Sequence, residues 1–309
     1  MARYILKRFS LMIVTLLVII TATFFLMHSL PGTPLKNEEK LSPELRAQIL
    51  EQYGLDKPAY VQYFKFVGHL VQGDLGKSLN YDGREVTDML MQGFGPSLLI
   101  GSQALLFGVL IGLILGVLAA LKRNTWLDSL ATGASIMGVS IPSFVLAALL
   151  AYFVGVKLGW LPATGYDTYS ATIMPSFALS FAVIAQISRY VRTEMVEVLE
   201  QDYMRTAKAK GINRFAILVR HALRNALIPA ITVMGPLAVN IITGSLVVEG
   251  IFAIPGMGKM FVESILNNDY TVIMGTTIFY SVLIVVTLFI VDLLYGIIDP
   301  RIRITGAKE

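Results

Sequence analysis

Long apolar runs separated by shorter polar segments dominate this chain of 309 residues. Six of the runs approach the length of about 20 residues that a helix needs to cross a bilayer. They lie at residues 9–29, 97–121, 128–153, 173–192, 229–250 and 275–298. This pattern predicts an all-α integral membrane protein with six transmembrane helices.

The first apolar run follows Arg3, Lys7 and Arg8 and could be mistaken for a signal peptide. Its apolar stretch is too long for a typical signal peptide, and no small-residue cleavage site follows before Pro31. We therefore interpret residues 1–29 as an uncleaved transmembrane helix.

Some runs carry residues that shape helix packing. Gly108, Gly112 and Gly116 recur at every fourth position of the second run, which lets a neighbouring backbone approach closely. Pro142 in the third run and the Gly-Pro pair ending at Pro236 in the fifth predict kinks.

A few polar side chains also lie within the runs, where lipid cannot satisfy them, so they should face protein or a water-filled path. These residues are Gln103, Gln186, Asn240 and Asp292. For Asp292 a hydrogen bond between helices is a simpler explanation than a proton relay.

Residues 30–96 predict a small helical insertion after the first run. Ser42 can cap a short helix whose first residue is Pro43 and which stops at Gly54. A second helix should follow Pro58, and its periodicity predicts one apolar stripe. The stripe comprises Tyr60, Phe64, Val67 and Val71. We interpret the insertion as a packing cap or as a platform for an external partner.

Composition agrees with a membrane protein, because 55% of the residues are hydrophobic and 15% are charged, against roughly 25% charged in soluble chains. The net charge of +4 could suggest nucleic acid. Most lysines and arginines, however, lie in segments that one orientation places in the cytoplasm, as the positive-inside rule requires. We therefore predict cytoplasmic N and C termini and no nucleic-acid binding.

Motifs for catalysis are missing from the sequence. The chain has no cysteine, and its three histidines lack metal-ligand spacing. The stretch GDLGKS at residues 73–78 ends like a phosphate-binding loop, but Val71 occupies the position that requires glycine. We therefore predict that the chain is not an enzyme and holds no metal.

A cationic hairpin separates the fourth and fifth runs. Residues 189–210 predict one helix that ends at Gly211. Asn213 can cap a second helix that reaches about Leu227, and Pro229 should then open the fifth run. Cations held among lipid headgroups would explain the charge. They explain the small residues at the tip less well, since small side chains suit insertion into a groove on another protein.

The hairpin sequence RTAKAKG…RHALRNALIP resembles the cytoplasmic EAA loop of ABC-importer permeases, in the form found in the peptide/nickel subfamily. Four other stretches fit the same subfamily: SLPGTP, YGLDKPAYVQYFKFVGHLVQGDLGKS, ITGSLVVEGIFAIPGMGKMFVESILNNDYTVIMG and DLLYGIIDPRIR. Within it, the chain is most similar to oligopeptide-permease B-type subunits, with dipeptide, glutathione, other peptide and nickel importers as alternatives. One departure is Arg205-Thr206-Ala207, where the general family pattern has Glu-Ala-Ala.

The resemblance implies a type I ABC-importer permease fold in a bacterial inner membrane. The implied organisation is a first transmembrane helix (1–29), a periplasmic insertion (30–96) and a permease core (97–309) whose coupling loop spans 193–228. The implied partners are a second permease subunit, two cytoplasmic ATP-binding subunits and an extracytoplasmic peptide-binding protein. ATP and magnesium would be bound by the ATPase subunits, so no cofactor is expected in this chain.

Three groups of site residues follow from the resemblance. The ATPase-coupling residues would be Tyr203, Arg205, Thr206, Ala207, Lys208, Ala209, Gly211, Arg214 and Phe215. A periplasmic gate or binding-protein contact would use Glu249, Phe252, Pro255, Gly256 and Gly258. Candidates for lining the translocation path are Asn240 and Thr243.

Two functions from other classes remain alternatives at this point. An ion-gradient-driven secondary transporter would need ion-coupling groups near the middle of the membrane, and Asp292 is the one clear acid there. A lipid-binding scaffold would rest on the basic hairpin alone.

Overall fold

The structure is a computed structural model that describes residues 2–29, 42–81 and 83–298. The predicted all-α class is confirmed, since helices joined by turns make up these ranges, with one isolated β-bridge between Lys77 and Glu85. Most of the SLPGTP stretch and the end of DLLYGIIDPRIR lie outside the described residues.

The helices before the coupling hairpin begin and end as follows: α1 Ala2–Ser29, α2 Pro43–Tyr53, α3 Ala59–Val71, α4 Val86–Leu121, α5 Trp126–Ser140, α6 Ser143–Leu150 and α7 Ile173–Glu200. The remaining helices are α8 Asp202–Ala209, α9 Arg214–Ala216, α10 Arg224–Ile242, α11 Leu246–Ile251, α12 Met257–Leu266 and α13 Tyr270–Ile298. A π-helical segment, Ala151–Lys157, extends α6, and another, Ile217–Leu223, joins α9 to α10.

Within the described residues, five helical stretches are long and apolar enough to cross a membrane: Ile5–Ser29, Val86–Leu121, Tyr169–Glu200, Met234–Ile251 and Tyr270–Leu293. Trp126–Ser140 and Ser143–Lys157 form a pair bent by 96°, which would be a sixth span if the pair is one broken span. The break falls at Ile141–Pro142, where the proline has no N–H to continue the helix. The kink predicted at Pro142 is therefore a complete interruption of the helix.

The fifth predicted run has different boundaries from those expected. Helical structure continues from Arg214 to Ile242, so Pro229 does not open a new helix. Membrane helices tolerate a proline because π-type adjustments and neighbouring helices satisfy the freed backbone groups. The chain turns instead at Gly244, whose φ is +95°, before α11 begins.

The chain divides into two compact units, Met1–Gly95 with Gly256–Phe289, and Pro96–Pro255 with Ile290–Glu309. In the first unit, α3 packs on α1 through aromatic contacts. Three residues of the predicted stripe on α3, Tyr60, Phe64 and Val71, are exposed, so this stripe does not pack on α1. The residues that face α1 and α13 each lie one position before a residue of the stripe. They are Tyr63, Phe66 and Leu70, which pack on a cluster that includes Phe24 and Met274.

Hydrogen bonds hold the turn between α12 and α13 against residues 78–80 in the first unit. Asp269 is fully buried, and its carboxylate accepts a short hydrogen bond from the Ser78 hydroxyl. Asn80 Nδ2 donates to the carbonyl of Asn267 at 2.8 Å. The GDLGKS stretch therefore ends in a structural contact, consistent with our rejection of it as a phosphate-binding loop.

Helix α7 lies at the centre of the second unit and contacts α5, α6 and α10. The glycine stripe of α4 also packs on it. A Cβ atom added at Gly108 would lie 2.3 Å from Val183 Cβ, and one at Gly112 would lie 2.9 Å from Ile187 Cβ. These distances confirm the close approach that the repeated glycines predict, and they fix α7 against α4.

Candidate functional site

The coupling hairpin consists of the end of α7, the short helix α8 and the helix that follows Gly211. The single helix predicted over residues 189–210 was wrong, because Gln201 adopts an extended conformation with ψ of 149° and separates α7 from α8. Gly211 does end the first arm, with φ of +71°. Asn213 acts as predicted: its side-chain oxygen accepts from the Phe215 N–H at 2.9 Å.

Burial explains the break at Gln201. The turn folds α8 back so that Met204 and Ala207 pack against Ile217 and Ala222 on the second arm. Uninterrupted helix would satisfy local propensity, but burial of these side chains stabilises the bent arrangement more, as tertiary packing commonly does. The hairpin therefore has its own apolar core.

The outer surface of the hairpin is formed by most of the predicted coupling residues. Ala207 is buried in the hairpin core, and the side chain of Arg214 lies outside the described residues. The others are exposed: Tyr203, Arg205, Thr206, Lys208, Ala209, Gly211 and Phe215. Phe215 is 71% exposed, although it is large and apolar. The tip thus presents an aromatic ring among small and cationic residues, a surface suited to a groove on a partner protein.

Two ion pairs fasten the base of this hairpin to α5 and to the turn that precedes it, and sequence reasoning missed both. Arg192 Nε and Nη2 donate to the two carboxylate oxygens of Asp128 at 2.6 and 2.7 Å. Arg123 Nη1 bonds Glu200 at the end of α7. The sequence did carry a signal for the first pair. Asp128 begins the run 128–153 and Arg192 ends the next run, 173–192, so opposite charges were predicted on the same side of the membrane.

The segment after α10 contains the predicted gate residues. Glu249 is only 2% exposed and accepts from the Ser97 hydroxyl at 2.7 Å. Phe252 is also buried, and its carbonyl accepts from the Gly165 N–H at 2.8 Å. Pro255 is exposed. In the second unit, therefore, Pro255 is the predicted gate residue that presents a surface, while Glu249 and Phe252 hold the turn.

The other two predicted gate residues, Gly256 and Gly258, belong to the first unit and are buried at the start of α12.

The predicted path residues lie one turn apart near the end of α10. Asn240 is exposed, and the half-buried Thr243 donates its hydroxyl to the carbonyl of Val239 at 2.9 Å. The exposed amide of Asn240 can therefore face a water-filled path, which keeps it a candidate.

A further polar contact lies deeper in the second unit. Gln103 is buried and its Oε1 accepts from the Ser176 hydroxyl at 2.8 Å. Its Nε2 has no hydrogen-bond partner among the described residues. The sequence predicts that Gln103 faces protein or a water-filled path, and the hydrogen bond with Ser176 shows that one end of its side chain contacts α7.

Comparison with known proteins places this architecture in a family. Residues 112–304 match the family described as binding-protein-dependent transport system inner membrane component, and residues 1–83 match its N-terminal companion family. The dipeptide transport system permease protein DppB of Bacillus subtilis (strain 168) is 48% identical over 98% of this chain and 99% of its own length. The oligopeptide transport system permease protein OppB of Haemophilus influenzae is 43% identical over 98% and 100%.

Solved structures support the fold. The inward-facing methionine ABC transporter MetNI superposes with a TM-score of 0.58 at 20% identity, covering 69% of this chain and 97% of the matched chain. An amino acid ABC transporter gives a TM-score of 0.52 at 16% identity, covering 67% and 93%. These similarities confirm the predicted type I importer permease fold. The chain therefore belongs to the family of binding-protein-dependent transport system inner membrane components, the permease subunits of ABC importers.

Proposed function

We propose that this chain is the membrane-spanning permease subunit of an ATP-driven importer for oligopeptides. The observation that carries the proposal is the packed coupling hairpin with its exposed tip, in a chain whose full-length relatives are dipeptide and oligopeptide permeases. Because the family consists of transport subunits of ABC importers, the chain is not an enzyme and the gradient-driven alternative is not retained.

In this proposal the chain forms the translocation path with a second permease subunit. A cytoplasmic ATPase binds the tip of the hairpin, and a second ATPase binds the sister permease. Both termini lie in the cytoplasm, and an extracytoplasmic binding protein delivers the peptide. ATP and magnesium are bound by the ATPases.

The hairpin suits the transmission of movement. Its apolar core joins α8 to the second arm, and the Asp128–Arg192 pair joins α7 to α5. A displacement of the tip would therefore move α5 and α7 together. Such an element can be biased by ATP at one end and by loaded binding protein at the other, which is what coupling between two sites requires.

A second candidate is dipeptide import. It is favoured by the identity of 48% to the Bacillus subtilis dipeptide permease, compared with 43% to the Haemophilus influenzae oligopeptide permease. Both candidates share the fold and the coupling hairpin, and they differ in the length of the cargo.

Uptake of peptides of defined length tests the proposal. Cells that lack this chain would be complemented with it and given labelled dipeptides, tripeptides and pentapeptides. ATP-dependent uptake of pentapeptides supports oligopeptide import, whereas uptake limited to dipeptides supports the second candidate. Affinity purification should also recover two ATPase subunits and a sister permease. Peptide uptake unaffected by loss of the chain would contradict both candidates.

A further inference from the structure

A small polar pocket lies between α5 and α7, beside the Asp128–Arg192 pair. Its volume is about 170 Å³. It is lined by hydroxyl groups and guanidinium groups: Thr132, Ser135, Ser188, Arg189, Arg192 and Thr193. No carboxylate is among these lining residues, so the pocket combines hydrogen-bond donors with positive charge.

The charges around the pocket leave one cation without a counterion. Asp128 is 5% exposed and neutralises Arg192, whose Nη1 is left free to donate to another acceptor. Arg189 is exposed and has no ion-pair partner among the described residues. A group with a single negative charge and several acceptor oxygens would neutralise Arg189 and occupy the donors of Arg192.

The hydroxyl groups can add to such a site. Ser135 and Thr193 donate to the carbonyls of Ala131 and Arg189, each in its own helix. Each of those carbonyls also accepts a hydrogen bond from a backbone N–H of its helix. The hydroxyls can therefore turn toward an anion without leaving the carbonyls unpaired.

The surroundings indicate the depth of the pocket. Trp126 is 70% exposed and Tyr190 is 42% exposed, and exposed Trp and Tyr side chains mark the membrane–water interface. The cations Lys122 and Arg123 precede α5 at the same end. Ile136, which directly follows the pocket residue Ser135 in α5, is exposed and apolar, as a residue in contact with an acyl chain should be.

We propose that the pocket binds the phosphate group of an anionic phospholipid. A phosphodiester supplies the single charge and the acceptor oxygens, and its acyl chains would follow the apolar surface beyond Ile136. Basic pockets between membrane helices on the cytoplasmic side are suited to anionic headgroups. With the proposed orientation, the lipid belongs to the cytoplasmic leaflet and binds at the base of the coupling hairpin.

Native mass spectrometry of the purified, delipidated transporter tests this site. The probes are phosphatidylglycerol, phosphatidylcholine and inorganic phosphate. Phosphatidylglycerol should bind more tightly than phosphatidylcholine, and Arg189→Gln should weaken its binding about tenfold, because a charge-assisted hydrogen bond is lost. Lys122→Gln removes a cation near the same end without touching the pocket, so it should change binding less than twofold.

A second variant guards against misfolding. Thr193→Val keeps the side-chain shape, removes one hydroxyl and should weaken phosphatidylglycerol binding with an unchanged unfolding temperature. Equal losses in Arg189→Gln and Lys122→Gln, or no loss in either pocket variant, would overturn the proposal. Binding of inorganic phosphate but not lipid would assign the pocket to free phosphate, and displacement of the lipid by peptide would assign it to the carboxylate of the cargo. The assay measures lipid binding directly, so its result does not depend on which peptide is transported.

Discussion

The guanidinium of Arg192 in α7 donates two hydrogen bonds, of 2.6 and 2.7 Å, to the carboxylate of Asp128 in α5. The Asn124 N–H donates a third bond to the same carboxylate at 3.0 Å. Because α7 leads directly into the coupling hairpin, this pair connects the hairpin to the start of the broken span formed by α5 and α6.

Removing one member of this pair should destabilise the protein. In Asp128→Ala, Arg192 loses both acceptors, and its side chain is only 31% exposed in the wild-type structure. We expect a loss of about 3 kcal/mol in the free energy of unfolding, near the low end for breaking a buried pair. Denaturant unfolding in detergent measures it. Asp202→Ala is the matched control, since the Asp202–Arg205 pair is highly exposed and its loss should have little effect. Equal stability of the two variants would contradict the prediction.

The glycine stripe of α4 should tolerate no side chain at Gly108. An alanine Cβ there would lie 2.3 Å from Val183 Cβ, which forces α4 and α7 apart. We expect Gly108→Ala to lower the free energy of unfolding by about 3 kcal/mol, as overpacking does. Gly133→Ala in α5 is the control, because no atom lies within 4 Å of its added Cβ, and it should gain about 0.5–1 kcal/mol of helix propensity.

A rescue variant separates overpacking from other effects. Val183→Gly should recover part of the loss in Gly108→Ala, because it removes Cβ and Cγ1, the two side-chain atoms of Val183 that the new Cβ meets. A purely additive double variant would show that the contact between these two positions is not the cause.

Much of the fold could be predicted because the signals were local or strictly periodic. Apolar runs located the spans, and the Ser42 cap and left-handed Gly54 set the ends of α2. The hairpin turn at Gly211 was also evident, since φ of +71° favours glycine.

The errors arose where tertiary contacts outweigh local preference. The break at Gln201 depends on burial of Met204 against the second arm, which no local pattern reveals. On α3 two apolar faces compete, and only the neighbouring Phe24 shows that the face bearing Phe66 is the one that packs on α1. The Asp128–Arg192 pair joins positions 64 residues apart, so helix packing had to be known first.

The turn after α10 should depend on Gly244. Its φ is +95°, and an added Cβ would lie 2.4 Å from the buried Glu249 Oε1. Gly244→Ala therefore strains the backbone and displaces the carboxylate, and we expect it to cost about 2 kcal/mol or more of unfolding free energy. Gly250→Ala meets no atom within 4 Å and serves as the control. Comparable unfolding midpoints for the two variants would contradict this account.

The loop before α4 should lose stability at high pH. Burial, followed by the nearby Glu263 carboxylate, raises the pKa of the Tyr81 hydroxyl above its ordinary value of 10.0. Because the pKa of Tyr81 is higher in the folded state than in the unfolded state, the protonated hydroxyl contributes to the free energy of unfolding. This contribution is complete below pH 10.0 and is lost as the pH rises through the folded pKa. Tyr81→Phe removes the hydrogen bond to Glu263, so it should be less stable than wild type at pH 8. Unfolding curves from pH 8 to about pH 11 should show this difference narrow; a constant difference would exclude the mechanism.

Coupling of the hairpin tip to the ATPase should depend on the small size of Gly211. This residue is exposed, has φ of +71° and has no atom within 4 Å of an added Cβ, so a large side chain there would project toward a docked ATPase. Gly211→Trp should abolish recovery of the ATPase subunits and stimulation of ATP hydrolysis by substrate. Gly211→Asn separates backbone strain from bulk, because asparagine tolerates the left-handed conformation, and it should retain most of the coupling. Gly159→Trp, at another exposed glycine with φ of +64° and open space around it, should leave ATPase recovery unchanged. Normal ATPase docking and normal peptide uptake with Gly211→Trp would show that the hairpin tip does not enter a groove on the ATPase.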